Sequence, residues 1–189
     1  MGTVARWAGY LAMAGGALVA ILAVVTAYDP ETAAWYGFFL VIAFLGAAVL
    51  GFQERTKAVT GQLGRGSAWL SALGAVGLLA VFVYAAATNG LSTGGDYDPA
   101  KDPLTPFWIV TAAAWFIGNI GFAVALLRAR VLSSYGAWLV LAGAVVGLVF
   151  AAVLGENLPP AAYLLFGLFG IGWIVIGYAA VRPAAAGTT

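Results

Sequence analysis

The chain reads as an all-α, polytopic integral membrane protein: a bundle of six transmembrane helices in one domain. Three observations carry this. Of 189 residues, 63% are hydrophobic and only 8% charged, whereas a soluble domain carries about 25% charged residues. Six apolar runs approach the ~20 residues that cross a hydrocarbon core of ~30 Å. The basic residues sort to one side when the connections between those runs are numbered alternately.

The first span, about 7–28, follows a short head carrying Arg6. A charged head before an apolar run also describes a signal peptide. This run exceeds a typical signal h-region, so a retained signal anchor is the expected reading. Asp29-Pro30-Glu31 has the order of a helix start, with a capping side chain, proline in the first turn and an acid at the positive end of the helix dipole. It leads into a second span, 34–52, with aromatics at its start. Gln53 to Ser67 is expected to be a loop, loosened by Gly61, Gly64 and Gly66, with Ser67 capping a third span over 69–88.

The longest connection, Asn89 to Thr105, holds Asp96, Asp98 and Asp102. Thr105-Pro106 repeats the cap-then-proline order before span four, 107–127, which closes on Arg128 and Arg130. Ser133 or Ser134 is a cap for span five, 135–154. Gly155 to Pro160 turns the chain into span six, 161–181, and Arg182 follows.

With this numbering Arg6, Arg55, Lys57, Arg65, Arg128, Arg130 and Arg182 share one side, and Lys101 alone lies opposite. Short loops rich in lysine and arginine stay in the cytoplasm. Both termini are therefore expected to be cytoplasmic, in a plasma (cytoplasmic) membrane. Trp7, Trp35, Trp69, Trp108 and Trp138 open their spans, where interfacial indoles belong; Trp115 and Trp173 lie deep.

Two segments echo each other. Ala68-Trp69-Leu70 with Gly74-Ala75-Val76 matches Ala137-Trp138-Leu139 with Gly143-Ala144-Val145. In the even spans Phe44-Leu45-Gly46, Phe116-Ile117-Gly118 and Gly170-Ile171-Gly172 each precede an arginine by a similar distance. A repeated two-helix unit is one reading; chance similarity in an alanine- and glycine-rich chain is the other.

Chemistry is limited first by absences. There is no cysteine and no histidine, so disulfides, thiolate nucleophiles and the commonest metal ligand and general base are missing. No cofactor, metal or catalytic residue is assigned, and no nucleic-acid partner is indicated. The three aspartates of the long connection do not fit an EF-hand loop, which also needs a glycine and a closing glutamate. No Asp, Glu, Lys or Arg lies inside a span, although such residues mark ion paths and proton relays.

What remains are small-residue stripes and a few deep polar and aromatic side chains. Gly118 and Gly121 on span four, Gly143 and Gly147 on span five, and Gly167, Gly170 and Gly177 on span six are helix-packing candidates, since small residues let helices approach closely in lipid. Spans four to six are expected to pack on one another through them; a membrane-protein partner or second copy is the other use. Asn119, an amide in hydrocarbon, should face protein. With Thr111, Trp115 and Phe122 on span four and Phe166, Phe169 and Trp173 on span six, it forms the candidate ligand-binding set; Ile176 continues the span-six stripe.

Two function classes follow. The first is a non-catalytic protein that acts as an accessory or interaction subunit, or binds lipid or a hydrophobic small molecule between spans four to six. The second is a carrier or channel for a small neutral or apolar solute, with Thr111 and Asn119 in its path.

Overall fold

A computed structural model describes residues 3–28, 35–89, 104–153 and 159–182. The described residues are all-helical: α1 (Thr3–Tyr28), α2 (Trp35–Asn89), α3 (Thr105–Ala129), α4 (Ser134–Val153) and α5 (Pro160–Val181). Four of these helices are long and apolar enough to cross a membrane, and α4 carries a shorter apolar stretch, Ser134–Val149. The turn Asp29-Pro30-Glu31, the aspartate-bearing connection and residues 154–158 lie outside the described residues.

The expected loop between Gln53 and Ser67 is instead helical, and α2 runs through it for 55 residues with one break, at Gly61 (φ 61°, ψ −152°). The left-handed φ is open to glycine at no steric cost. Up to that point the backbone is held by local bonds: the Thr56 hydroxyl donates to Phe52 O and the Thr60 hydroxyl to Thr56 O. The break reverses the chain. In a straight helix Gly46 and Ala75 would stand about 43 Å apart, yet a Cβ at Gly46 would lie 2.9 Å from that of Ala75. We call the two limbs α2 35–60 and α2 62–89. Ser67 sits within the second limb, buried, and caps nothing; the reversal at Gly61 has moved the helix start upstream of it.

Two other expected starts shift or resolve. The N-cap of α3 is Leu104, without a side-chain cap, and Pro106 falls in the first turn. At α4 the choice between serines goes to Ser133, whose Oγ accepts from the Gly136 amide at 3.1 Å. The end of α3 is closed by the Arg130 amide donating to Leu127 O and the Val131 amide to Leu126 O. This is a Schellman-type arrangement, with Arg130 at φ 53° where glycine is usual.

The helical segments close into a ring. The first limb of α2 meets its second limb at Gly46, and the second limb packs on α3. α3 neighbours α4, α4 neighbours α5, α5 neighbours α1, and α1 returns to the first limb at Gly15–Leu45, Gly37–Leu22 and Gly51–Ala8. α3 and α5 share no backbone approach; they meet through side chains in the middle of the ring.

One end of the ring collects positive charge. Gly9 of α1 lies on Gly177 and Val181, Gly51 on Ala8, and Gly121 on Ser67, while Arg55 Nη1 donates to Ala180 O at 2.9 Å. The start of α1, the reversal at Gly61 and the ends of α3 and α5 are thereby at one end. Arg6, Arg55, Lys57, Arg65, Arg128, Arg130 and Arg182 all belong to it, with Glu54. Arg55 also caps the carbonyl end of α5, a favourable place for a cation.

Candidate functional site

Asn119 is fully buried. Its Nδ2 donates to Ser71 Oγ at 2.9 Å, across to the second limb of α2, and to Trp115 O at 2.8 Å in its own helix. The close approach that permits this bond comes from glycine on both sides. A Cβ at Gly118 would fall on the backbone of Ser71, and one at Gly74 on the backbone of Trp115. Gly121 lies equally close to the Ser67 side chain, and Gly77 to the Thr111 methyl group. The stripe of α3 is therefore taken by the second limb of α2. The expectation that spans four, five and six pack mutually through their glycines is corrected for span four: glycines on both helices, Gly74 and Gly77 with Gly118 and Gly121, let α3 and the second α2 limb close on each other.

Thr111 is turned to the same limb. Its hydroxyl donates to Phe107 O (2.9 Å) and Trp108 O (3.0 Å) within α3, so it widens no polar track toward the middle of the ring.

The other glycines serve two further seams. Gly143 of α4 presses on the backbone of Phe169, and Gly136 on Gly172 and Ile176. Gly147 receives the Phe166 ring, with Phe116 beside it. On α5, Gly170 faces Gly16, Val19 and Ala20, Gly177 faces Gly9 and Met13, and Gly167 faces Ala23. Hence α5 uses one stripe for α1 and the opposite one for α4.

The middle of the ring is filled with aromatic rings. Phe52 of the first α2 limb lies parallel to Trp173 of α5, with centroids 6.1 Å apart. Trp173 meets Phe169 edge to face at 6.3 Å, and Phe169 meets Trp115 of α3 at 5.5 Å. Phe116 and Phe166, both half-buried, close the outer side of this column, 5.9 Å apart. Such pairs contribute about 0.5–1.5 kcal/mol each beyond area burial. Phe122 is fully buried in the same core without a ring partner among those pairs.

Thus the structure joins Trp115, Phe166, Phe169 and Trp173 in one cluster. It places Asn119 beside that cluster through the Trp115 carbonyl, and sets Thr111 apart. The residues that sequence reasoning missed are Ser71, Phe52 and Phe116. Ser71 was signalled faintly, as a hydroxyl three residues before Gly74; nothing local signalled that Phe52 would reach α5.

Polar bookkeeping in the cluster is incomplete. Trp115 Nε1, Trp173 Nε1 and Asn119 Oδ1 are buried and have no hydrogen-bond partner among the described residues. Each such atom costs about 1–3 kcal/mol when left unmade. No group of three or more metal-ligating side chains gathers among the described residues; Asp96, Asp98 and Asp102 fall outside them.

No protein-family model matches the chain, and no characterised protein or solved structure does either.

Proposed function

We propose that the chain is a non-catalytic, six-span membrane protein with both termini cytoplasmic. On this reading it acts as an accessory or interaction subunit, or holds a lipid or hydrophobic small molecule between α3, α4 and α5, against the aromatic cluster that α3, α5 and the first α2 limb build. The observation that carries the binding reading is the set of unpaired polar atoms in the cluster. Two indole N–H donors and one amide oxygen stand without partners in and beside the cluster, and one of these indoles, Trp115, packs against Phe116, a half-buried ring on the outer edge. A flat apolar molecule bearing an acceptor oxygen would meet the Trp115 indole once Phe116 and Phe166 turn aside.

Six spans are supported by the reversal at Gly61, which divides an apolar stretch of 48 residues into two limbs. Cytoplasmic termini are supported by the positive end of the ring. A repeated two-helix unit is supported by the matching glycine seams of the second α2 limb with α3 and of α4 with α5. The non-catalytic reading is supported by the buried polar side chains, which among the described residues are Thr, Ser, Gln and Asn and include nothing ionisable. A solute path through Thr111 and Asn119 lacks such support, because both are packed against the second α2 limb and the ring centre is filled.

The test is native mass spectrometry of the gently solubilised protein, with extraction and an absorbance spectrum of whatever is retained. A hydrophobic molecule is expected on the wild type and should be largely lost from Trp115→Phe, which keeps a ring and removes the N–H. A bare wild-type chain, or equal retention by the variant, contradicts the reading.

A further inference from the structure

A second feature lies at the positive end, in the angle made by the reversal at Gly61. A notch of about 480 Å³ is lined by Leu50, Gln53, Glu54 and Lys57 of the first α2 limb and by Arg65 and Trp69 of the second. Spacings of three and four residues put each set on one helical face. The lining is ordered along the bundle axis. Leu50 lies farthest from the turn, Gln53, Glu54 and the exposed Trp69 in the middle, and Lys57 and Arg65 nearest the turn.

Charge and hydrogen bonding point to an occupant of a particular kind. Lys57 and Glu54 form an ion pair, and Arg65 adds a further cation, so the notch is net positive. Arg55, by contrast, is committed to Ala180 O. Gln53 is 8% exposed, and its Oε1 has no hydrogen-bond partner among the described residues. Apolar wall, carboxamide and cation follow one another as acyl chain, glycerol region and phosphate do in a lipid. An indole at that depth is at home among headgroups.

We propose that this notch binds the headgroup of an anionic phospholipid. Arg65 and Lys57 take the phosphodiester, Leu50 flanks the start of the acyl chains, and Trp69 and the Gln53 carboxamide lie level with the glycerol esters. The site is separate from the aromatic cluster. It rests on the proposed orientation solely for the leaflet that supplies the lipid, so binding itself is testable without it.

The experiment is native mass spectrometry of the full chain, delipidated in detergent and titrated with phosphatidylglycerol, phosphatidylcholine or glycerol 3-phosphate. The expected result is retention of phosphatidylglycerol over phosphatidylcholine, with glycerol 3-phosphate competing weakly because it lacks the chains. Arg65→Gln should weaken phosphatidylglycerol binding about fivefold, the factor corresponding to one basic residue at an anionic lipid surface. Arg128→Gln, a charge change at the same end but outside the notch, should leave it near wild type. Equal retention of the two lipids overturns the proposal. So does an equal loss in Arg65→Gln and Arg128→Gln, which would mean diffuse attraction, or full competition by glycerol 3-phosphate, which would mean a free-phosphate site. Neither arginine is buried, so loss of fold does not confuse the outcome. Trp115→Phe should leave this binding unchanged, which separates failure here from failure of the aromatic-cluster reading.

Discussion

The second limb of α2 meets α3 much as α4 meets α5. In the first pair Gly74 accepts the backbone of Trp115, and Gly118 accepts that of Ser71; in the second, Gly143 accepts the backbone of Phe169, and Gly172 that of Val140. The glycines fall at matching places in the two sequence echoes. The residue after each second glycine differs in kind: Asn119 follows Gly118, and Trp173 follows Gly172. Asn119 finds a hydroxyl at Ser71, where the other pair has Val140. Trp173 turns to the middle of the ring and stacks on Phe52. One backbone seam therefore carries two solutions, an amide bonded across it and an indole sent past it. The comparison teaches that close helix approach in lipid is set by missing side chains, while the neighbouring position is free to take either polarity.

Grafting one solution onto the other should break the similarity most severely. Val140→Ser combined with Trp173→Asn reproduces the Ser71–Asn119 pair in α4 and α5 but empties the centre of the ring. The expected loss is about 3–5 kcal/mol, the usual range for truncating a buried tryptophan, read by denaturant unfolding in micelles. A near-neutral double variant would show that the central column contributes little. The seams come next. Gly118→Ala and Gly172→Ala each place a methyl group on backbone atoms and should each destabilise by about 1–3 kcal/mol. Losses differing by more than that whole range would mean that the two seams are alike in geometry and unlike in energy. The smallest effect concerns the polar bond alone. A double-mutant cycle of Asn119→Leu and Ser71→Ala should give a coupling of about 0.6 kcal/mol, the average for hydrogen bonds between helices in a membrane. A coupling of zero would make Asn119 dispensable to the seam.

Legibility in the sequence varied with the range of the interaction concerned. The helices over spans one, four, five and six were legible because long apolar runs leave the backbone no partner in lipid but itself. The helix around 53–67 was not. Gly61, Gly64 and Gly66 all suggest looseness, yet Gly61 takes the left-handed turn and Gly64 sits in helix against Thr60. Local propensity does not distinguish three nearby glycines; the packing of Gly46 on Ala75 does. At the candidate site, the sequence showed that Asn119 must face protein, because an amide is costly in hydrocarbon. It did not name Ser71. A stripe of small residues fits any other smooth stripe, so the choice among α2, α4 and α5 lay with the whole ring.

The sequence by itself determined that the chain is helical and apolar, which residues bear charge, where close helix approach is allowed, and which side chains are absent from any chemistry. Those properties depend on composition and on the period of the helix, and need no knowledge of neighbours. The tertiary structure decided the reversal at Gly61, the partner of each glycine stripe, the separation of Thr111 from the aromatic cluster, and the notch where Arg65 comes to stand near Lys57. These depend on contacts between residues distant in the chain. In lipid no gradient of hydrophobicity selects one helix pairing over another, so the selection falls to shape, and shape exists only once the helices are together.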